Sequence, residues 1–215
     1  MILMNRGRTL IVVGLALSLA GSLHAQPPSH ADMHHDVQHE HQGSATSPTF
    51  AELEATAAQL QQARHATEKY RDVQQAEADG YRAIGPDVAG MGIHFVRQGH
   101  GDGGFSVERP AILLYEKDPA SPGGYALVGV SYLFAAEADR DEQPKNPPFP
   151  KSLATWHRHS NLCAFANGSV KGELTASQCQ AEGGQFTGLT QWMVHAWIWK
   201  DSPLGVFSPT NPTVR

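Results

Sequence analysis

From Phe50 to Asp79 the chain runs about thirty residues without a Gly or Pro, and polar and apolar positions alternate at helical spacing. Thr49, followed three residues later by Glu52, forms a capping box, so a helix is predicted to begin there and to stop at Gly80. At 1.5 Å per residue it would be about 45 Å long if unbroken. Phe50, Leu53, Ala57 and Leu60 make one apolar stripe, whereas Ala63, Ala66, Tyr70 and Val73 make a second one rotated from it. The rotation predicts a bend, or two helices, near Gln61 to Arg64. His65 falls in the polar region and reads as an exposed helical residue rather than a ligand.

Beyond Gly85-Pro86 the pattern changes to short β-branched and aromatic runs punctuated by Gly and Pro, the signature of antiparallel sheet. Strands are predicted at 92–97, 111–117, 125–134, 155–165 and 190–200. A hairpin connection is predicted over 118–124, with its Pro-Ala-Ser-Pro-Gly-Gly. Glu137 to Pro150 reads as an exposed crossover loop, Gln178 to Gly184 as a short helix ended by a glycine pair, and Ser202 to Arg215 as an extended tail over the sheet. The fold class is therefore α+β: a long N-terminal helix, bent or straight, on a curved and mainly antiparallel sheet or partial barrel spanning 49–215.

Alternate residues of a strand share a face, so strand parity locates the polar side chains. His157 and His159 would point one way, and Trp156 and Arg158 the other. His195 lies on the side of Met193 and Trp197, while Trp192, Val194, Ala196 and Ile198 form the opposite side, so this strand is apolar on both faces and central. A buried imidazole there needs a carbonyl or a metal, because an unsatisfied ring nitrogen costs on the order of 1 to 3 kcal/mol. His94 shares its face with Gly92 and Val96, and the glycines leave room for a close approach. Glu116 lies on the face of Ile112 and Leu114, where a carboxylate calls for a cation or donor. Converging strands would assemble His94, His157, His159 and His195, with Glu116 as a possible carboxylate donor, into a metal site. Imidazole suits Zn or Cu foremost, then Fe or Ni, and the missing cluster of hard oxygen donors disfavours Ca and Mg. His100 reads as a residue of its glycine-rich loop.

Composition bears on compartment and partners. Arg6 and Arg8, the apolar run from Leu10 to Ala20 and the small Ala25 match a cleaved secretory signal over 1–25, with a mature start near Gln26. Removing those two arginines leaves 14 of the 16 basic residues against 21 acidic ones, a formal charge of −7, which disfavours nucleic acid and anionic membrane surfaces as partners. Residues 26–48 contain almost no large apolar side chain and read as a flexible leader. In it His30, His34, His35, His39 and His41 alternate with Asp32, Asp36 and Glu40, a composition that captures metals loosely. Cys163 and Cys179 read as one disulfide in a periplasmic or secreted chain, the alternative being a Cys163 thiolate in a soft copper site. The Gly-rich phosphate loop, the Gly-x-Ser-x-Gly elbow, the His-Glu-x-x-His helix and the Cys-x-x-Cys pair are missing from the sequence, which removes the commonest nucleotide enzymes, serine hydrolases and zincins.

Gly90-Met91-Gly92-Ile93-His94-Phe95, Glu108 to Glu116, Leu127 to Tyr132 and His195-Ala196-Trp197-Ile198-Trp199, with Gly205-Val206-Phe207 and Asn211-Pro212, follow one another in this order. The chain in this respect resembles a group of uncharacterised exported bacterial proteins with no assigned activity. The resemblance implies that His94, Glu116 and His195 occupy motif positions. Three readings follow: an exported transition-metal-binding protein; a cupin-like metalloenzyme whose small-molecule pocket is lined by Trp197 and Tyr132; and a metal-free exported interaction domain in which His94 and His195 lie far apart.

Overall fold

The computed structural model describes residues 47–99, 105–134, 143, 146–188 and 190–215. The signal segment, the five leader histidines, His100 and most of the crossover loop lie outside the described residues. The rest is an α+β fold. Helix α1 (Phe50–Thr67) begins at the expected capping box, in which Thr49 and Glu52 satisfy each other's backbone N–H groups. The break comes later than the apolar stripes suggest, at a 3-10 turn over Glu68–Arg71, after which α2 runs Val73–Ala78. Two side chains set it there: Thr67 Oγ1 turns back to the Ala63 carbonyl at 2.8 Å, and Asp72 caps the next helix by accepting from the Gln74 N–H at 3.0 Å. The new axis seats Tyr70 and Val73 in the core.

Five antiparallel strands form the main sheet in the order β1 (Tyr81–Val88), β2 (Gly92–Arg97), β3 (Ile112–Lys117), β4 (Tyr125–Phe134) and β8 (Trp192–Ala196). A smaller sheet has β5 (Leu162–Ala164) between β6 (Val170–Lys171) and β7 (Gln185–Gly188), with α3 (Ala176–Ala181) closing the excursion. The internal Gly85-Pro86 hides β1 from a sequence reading. At a sheet edge a proline costs no ladder hydrogen bond, and the register with β2 shifts between Ile84 and Val88 around it. Gly85 is required there: its φ is 69°, and a Cβ would stand 2.8 Å from the Val170 carbonyl oxygen of β6.

The expected strand over 155–165 proves to be two short pieces. His157 exchanges both backbone hydrogen bonds with Met193, at 2.9 and 2.7 Å, as an isolated bridge on the main sheet. The chain then leaves for the smaller sheet, where Cys163 pairs with Lys171 and Phe186. The last strand likewise ends at Ala196, because the Trp197 N–H turns to the Val206 carbonyl at 2.8 Å. The crossover is only partly the exposed loop expected, since Phe149 is fully buried and accepts the Trp156 indole N–H at its carbonyl. The tail from Ser202 is a series of turns rather than extended chain, and Phe207 and Val214 anchor it.

The central strands of the main sheet are buried on both faces, and the two sides differ in chemistry. One carries Phe95, Leu113, Tyr115, Val130, Tyr132 and Trp192 against the helices and Phe149, the larger apolar core. The other carries Ile112, Leu114, Val128 and Trp197, covered by Val214 of the tail, a small apolar cluster that gives way to histidines.

Cys163 and Cys179 are joined, with Cα atoms 5.5 Å apart, which removes the Cys163 thiolate from the possible metal ligands. The bond ties β5 to α3, segments with little apolar burial of their own. In the chain-entropy account a loop of this size contributes about 3 kcal/mol. The Cys163→Ser/Cys179→Ser double variant should therefore lose roughly that much in a urea unfolding measurement, and a loss below about 0.5 kcal/mol would show that the smaller sheet holds without it.

Candidate metal centre

Each histidine reaches the second face of the sheet by a separate piece of backbone logic. His94 pairs with Leu114 across β2 and β3, which aligns its side chain with the Leu114 side of the sheet. Gly92, two residues earlier, has φ 72°, and a Cβ there would collide with the Tyr115 carbonyl oxygen at 2.2 Å, so only glycine lets β2 start close enough to place the ring. His195 faces Ser131 across β4 and β8, and His157 faces Met193 across the bridge. His159 follows His157 on the same side, as parity requires, while Arg158 points away and its guanidinium lies 4.8 Å from the Trp192 ring centroid.

These placements gather all four rings. Centroids of His94 and His195 are 5.9 Å apart, His195 and His157 4.9 Å, and His157 and His159 5.8 Å. His159 in turn feels the positive form of His94. Two imidazoles on one tetrahedral ion, with metal–nitrogen bonds of about 2.0 Å, have centroids about 5 Å apart. The observed spacings are of that size. Among the described residues, no three His, Cys, Asp or Glu side chains already have their donor atoms converged as a finished metal site would.

Second contacts fix the orientation of the rings. His195 Nδ1–H donates to the Pro209 carbonyl at 2.7 Å, and His157 Nδ1 lies 3.2 Å from the Thr155 carbonyl. Imidazoles that ligate metals through Nε2 are held in this way, the second nitrogen donating to a carbonyl and setting the tautomer. His195 is fully buried, and its Nε2 has no hydrogen-bond partner. The Ser131 hydroxyl across the strand is also buried and unpartnered. Each orphaned polar atom is expensive, on the order of 1 to 3 kcal/mol.

The electrostatics favour neutral rings. Burial pulls His94 down to about 4, opposed by a hydrogen bond to the Gly92 backbone. Burial, then the nearby His94, pulls His159 down to about 4. His195 is lowered well below the usual imidazole range, first by burial and then by the positive forms of His157 and His94. A neutral imidazole is the form that ligates, so protons do not compete for these nitrogens near neutral pH.

Glu116 is engaged elsewhere. Both carboxylate oxygens accept from Lys200 Nζ at 2.7 Å, and the Arg215 backbone N–H is 3.4 Å from one of them. Lys200 reaches it because the turn after β8 returns the Trp199 and Lys200 N–H groups to the Val128 carbonyl, beside the end of β3. The carboxylate thus has its cation, as its half-buried position demands, and is a structural ion pair rather than a donor in the histidine cluster. Glu116→Gln should leave metal stoichiometry unchanged while lowering stability by about 1 kcal/mol, as read by equilibrium dialysis and urea unfolding; a lost metal equivalent would return Glu116 to the site.

Sequence parity placed Met193 on the His195 side without giving it a role, and it missed Ser131 and the Pro209 carbonyl. Tyr132 and Trp197 lie on opposite faces of the sheet, so they do not line one pocket. No protein-family model, curated protein or solved structure matches the chain.

Proposed function

We propose that this is an exported transition-metal-binding protein, with His94, His157, His159 and His195 as the ligand set of its folded domain. The observation that carries the reading is the buried, unpartnered Nε2 of His195, whose ring is held through Nδ1 by the Pro209 carbonyl and lies against the His94 and His157 imidazoles. Evolutionarily cheap alternatives exist for a strand interior, and a leucine there would avoid the cost of orphaned polar atoms. A metal repays that cost.

Histidine χ2 is a soft, broad torsion, so modest ring rotations suffice to turn rings about 5 Å apart into ligands of one ion. An all-imidazole set fits Zn or Cu best, and Fe or Ni also accept such donors. The disulfide agrees with an oxidising compartment such as the periplasm. In this reading the leader histidines collect metal loosely and the domain holds it.

The experiment is elemental analysis and zinc titration of the full chain with the five leader histidines replaced by serine. One zinc per chain, retained through dialysis, is expected. A protein that comes out of dialysis empty would refute the reading.

A further inference from the structure

We infer that the site selects copper, and that the Met193 thioether is its additional, soft donor; this rests on the histidine reading above. Met193 and His157 are directly opposed residues of an antiparallel bridge, and directly opposed residues project to the same side. His195 is two residues further along β8 on that side, with Ser131 across from it and Leu133 across from Met193. Met193 is therefore flanked on two sides by histidines of the cluster.

Its packing sets it apart from the apolar residues beside it in sequence. Met193 is 7% exposed, yet it belongs to neither apolar cluster of the molecule. Its neighbours on β8, Trp192 and Val194, pack into the larger core, and Trp197 just beyond the strand packs into the smaller. A buried methionine that shares its face with imidazoles, instead of joining the hydrocarbon beside it, has its sulfur available as a ligand.

The chemistry then discriminates among metals. Thioether sulfur is a soft donor that contributes to Cu(I) and adds little for Zn(II), whereas imidazoles serve both. Four neutral imidazoles plus one thioether form an uncharged donor set, and an uncharged set in a buried setting suits the monovalent ion, whose desolvation costs less than that of a divalent one. The site would hold Cu(I) tightly and accept Cu(II) through its imidazoles alone.

The test compares wild-type side chains with Met193→Leu, both in the full chain carrying serine at the five leader positions. Cu(I) is delivered against a chromogenic Cu(I) chelator, with ascorbate as reductant so that the disulfide survives, and Zn(II) is titrated separately. Leucine conserves volume and apolar character, so the fold should persist, as circular dichroism would verify. The expected result is at least a tenfold loss of Cu(I) affinity in Met193→Leu with Zn(II) affinity unchanged, together with a copper–sulfur shell in X-ray absorption that the variant lacks. Equal Cu(I) affinities, equal losses for both ions, or an all-nitrogen copper shell in the parent would each overturn the Met193 assignment while leaving the histidine site intact. Failure of the parent to bind either ion would overturn the histidine reading itself, and this inference with it.

Discussion

Replacing His195 with alanine should abolish stoichiometric metal binding, lowering affinity by about a thousandfold or more, and it should do so without unfolding the domain. A change to an outer contact of a metal ligand typically costs 10 to 100-fold, so removal of the ligand itself should exceed that range. His195 links His94 to the other two rings, at 5.9 Å from His94 and 4.9 Å from His157. Without it His94 loses its ring-to-ring link to His157 and His159. The variant also distinguishes ligand from packing residue. Metal at about a hundred times its dissociation constant stabilises a binding-competent fold by about 2.7 kcal/mol, so the parent's melting temperature should rise on adding zinc and the variant's should not. An equal rise in both proteins would show that the ion binds elsewhere.

Acid should unfold the metal-free domain between about pH 6.5 and pH 4, with most of the loss coming before its carboxylates are protonated. His94 and His159 are held near 4 in the fold and titrate near 6.5 once unfolded, and His195 is lowered in the same direction. In that window the unfolded chain binds more protons than the native one, so stability is complete above 6.5 and falls as the pH drops towards 4. At about 1.4 kcal/mol per pH unit, His94 and His159 would each remove about 3 kcal/mol by the end of the window. That is a large share of a typical domain stability of 5 to 15 kcal/mol. Among the carboxylates, Glu52, Asp79 and Asp118 are lowered by hydrogen bonds from Thr49, Lys69 and Ser121 respectively, so their losses come at more acid pH. Urea midpoints at pH 7.5, 6, 5 and 4.5 would check this, and a flat profile down to pH 4.5 would contradict it. Bound metal displaces protons and should carry the transition to lower pH.

Much of this arrangement is visible in the residues themselves, because local rules govern it. The capping box at Thr49, the stop at Gly80 and the strands 92–97 and 125–134 follow from hydrogen-bond and packing rules that act within a few residues. Parity alone puts His157 with His159 and His195 with Met193. The apolar stripes place the bend too early because it is set by a capping aspartate: Asp72 opens the second helix, and Thr67 unwinds the first. The first strand is not legible in the sequence because Gly85-Pro86 has the form of a turn, and only the edge position excuses it. Glu116 drew notice as a buried carboxylate, but its partner Lys200 stands 84 residues away, a separation that no local rule spans. The same limit applies to the four rings. Their common face could be anticipated strand by strand, whereas their order, His94 to His195 to His157 to His159, depends on the order of strands in the sheet and on the bridge that docks His157 beside β8.

The most direct test of the shared site is zinc X-ray absorption on the leader-substituted full chain loaded with one equivalent. Three or four nitrogen scatterers at about 2.0 Å, with the multiple-scattering pattern of imidazole, are expected. A spectrum with one imidazole or none, the remainder being water or carboxylate oxygen, would contradict it.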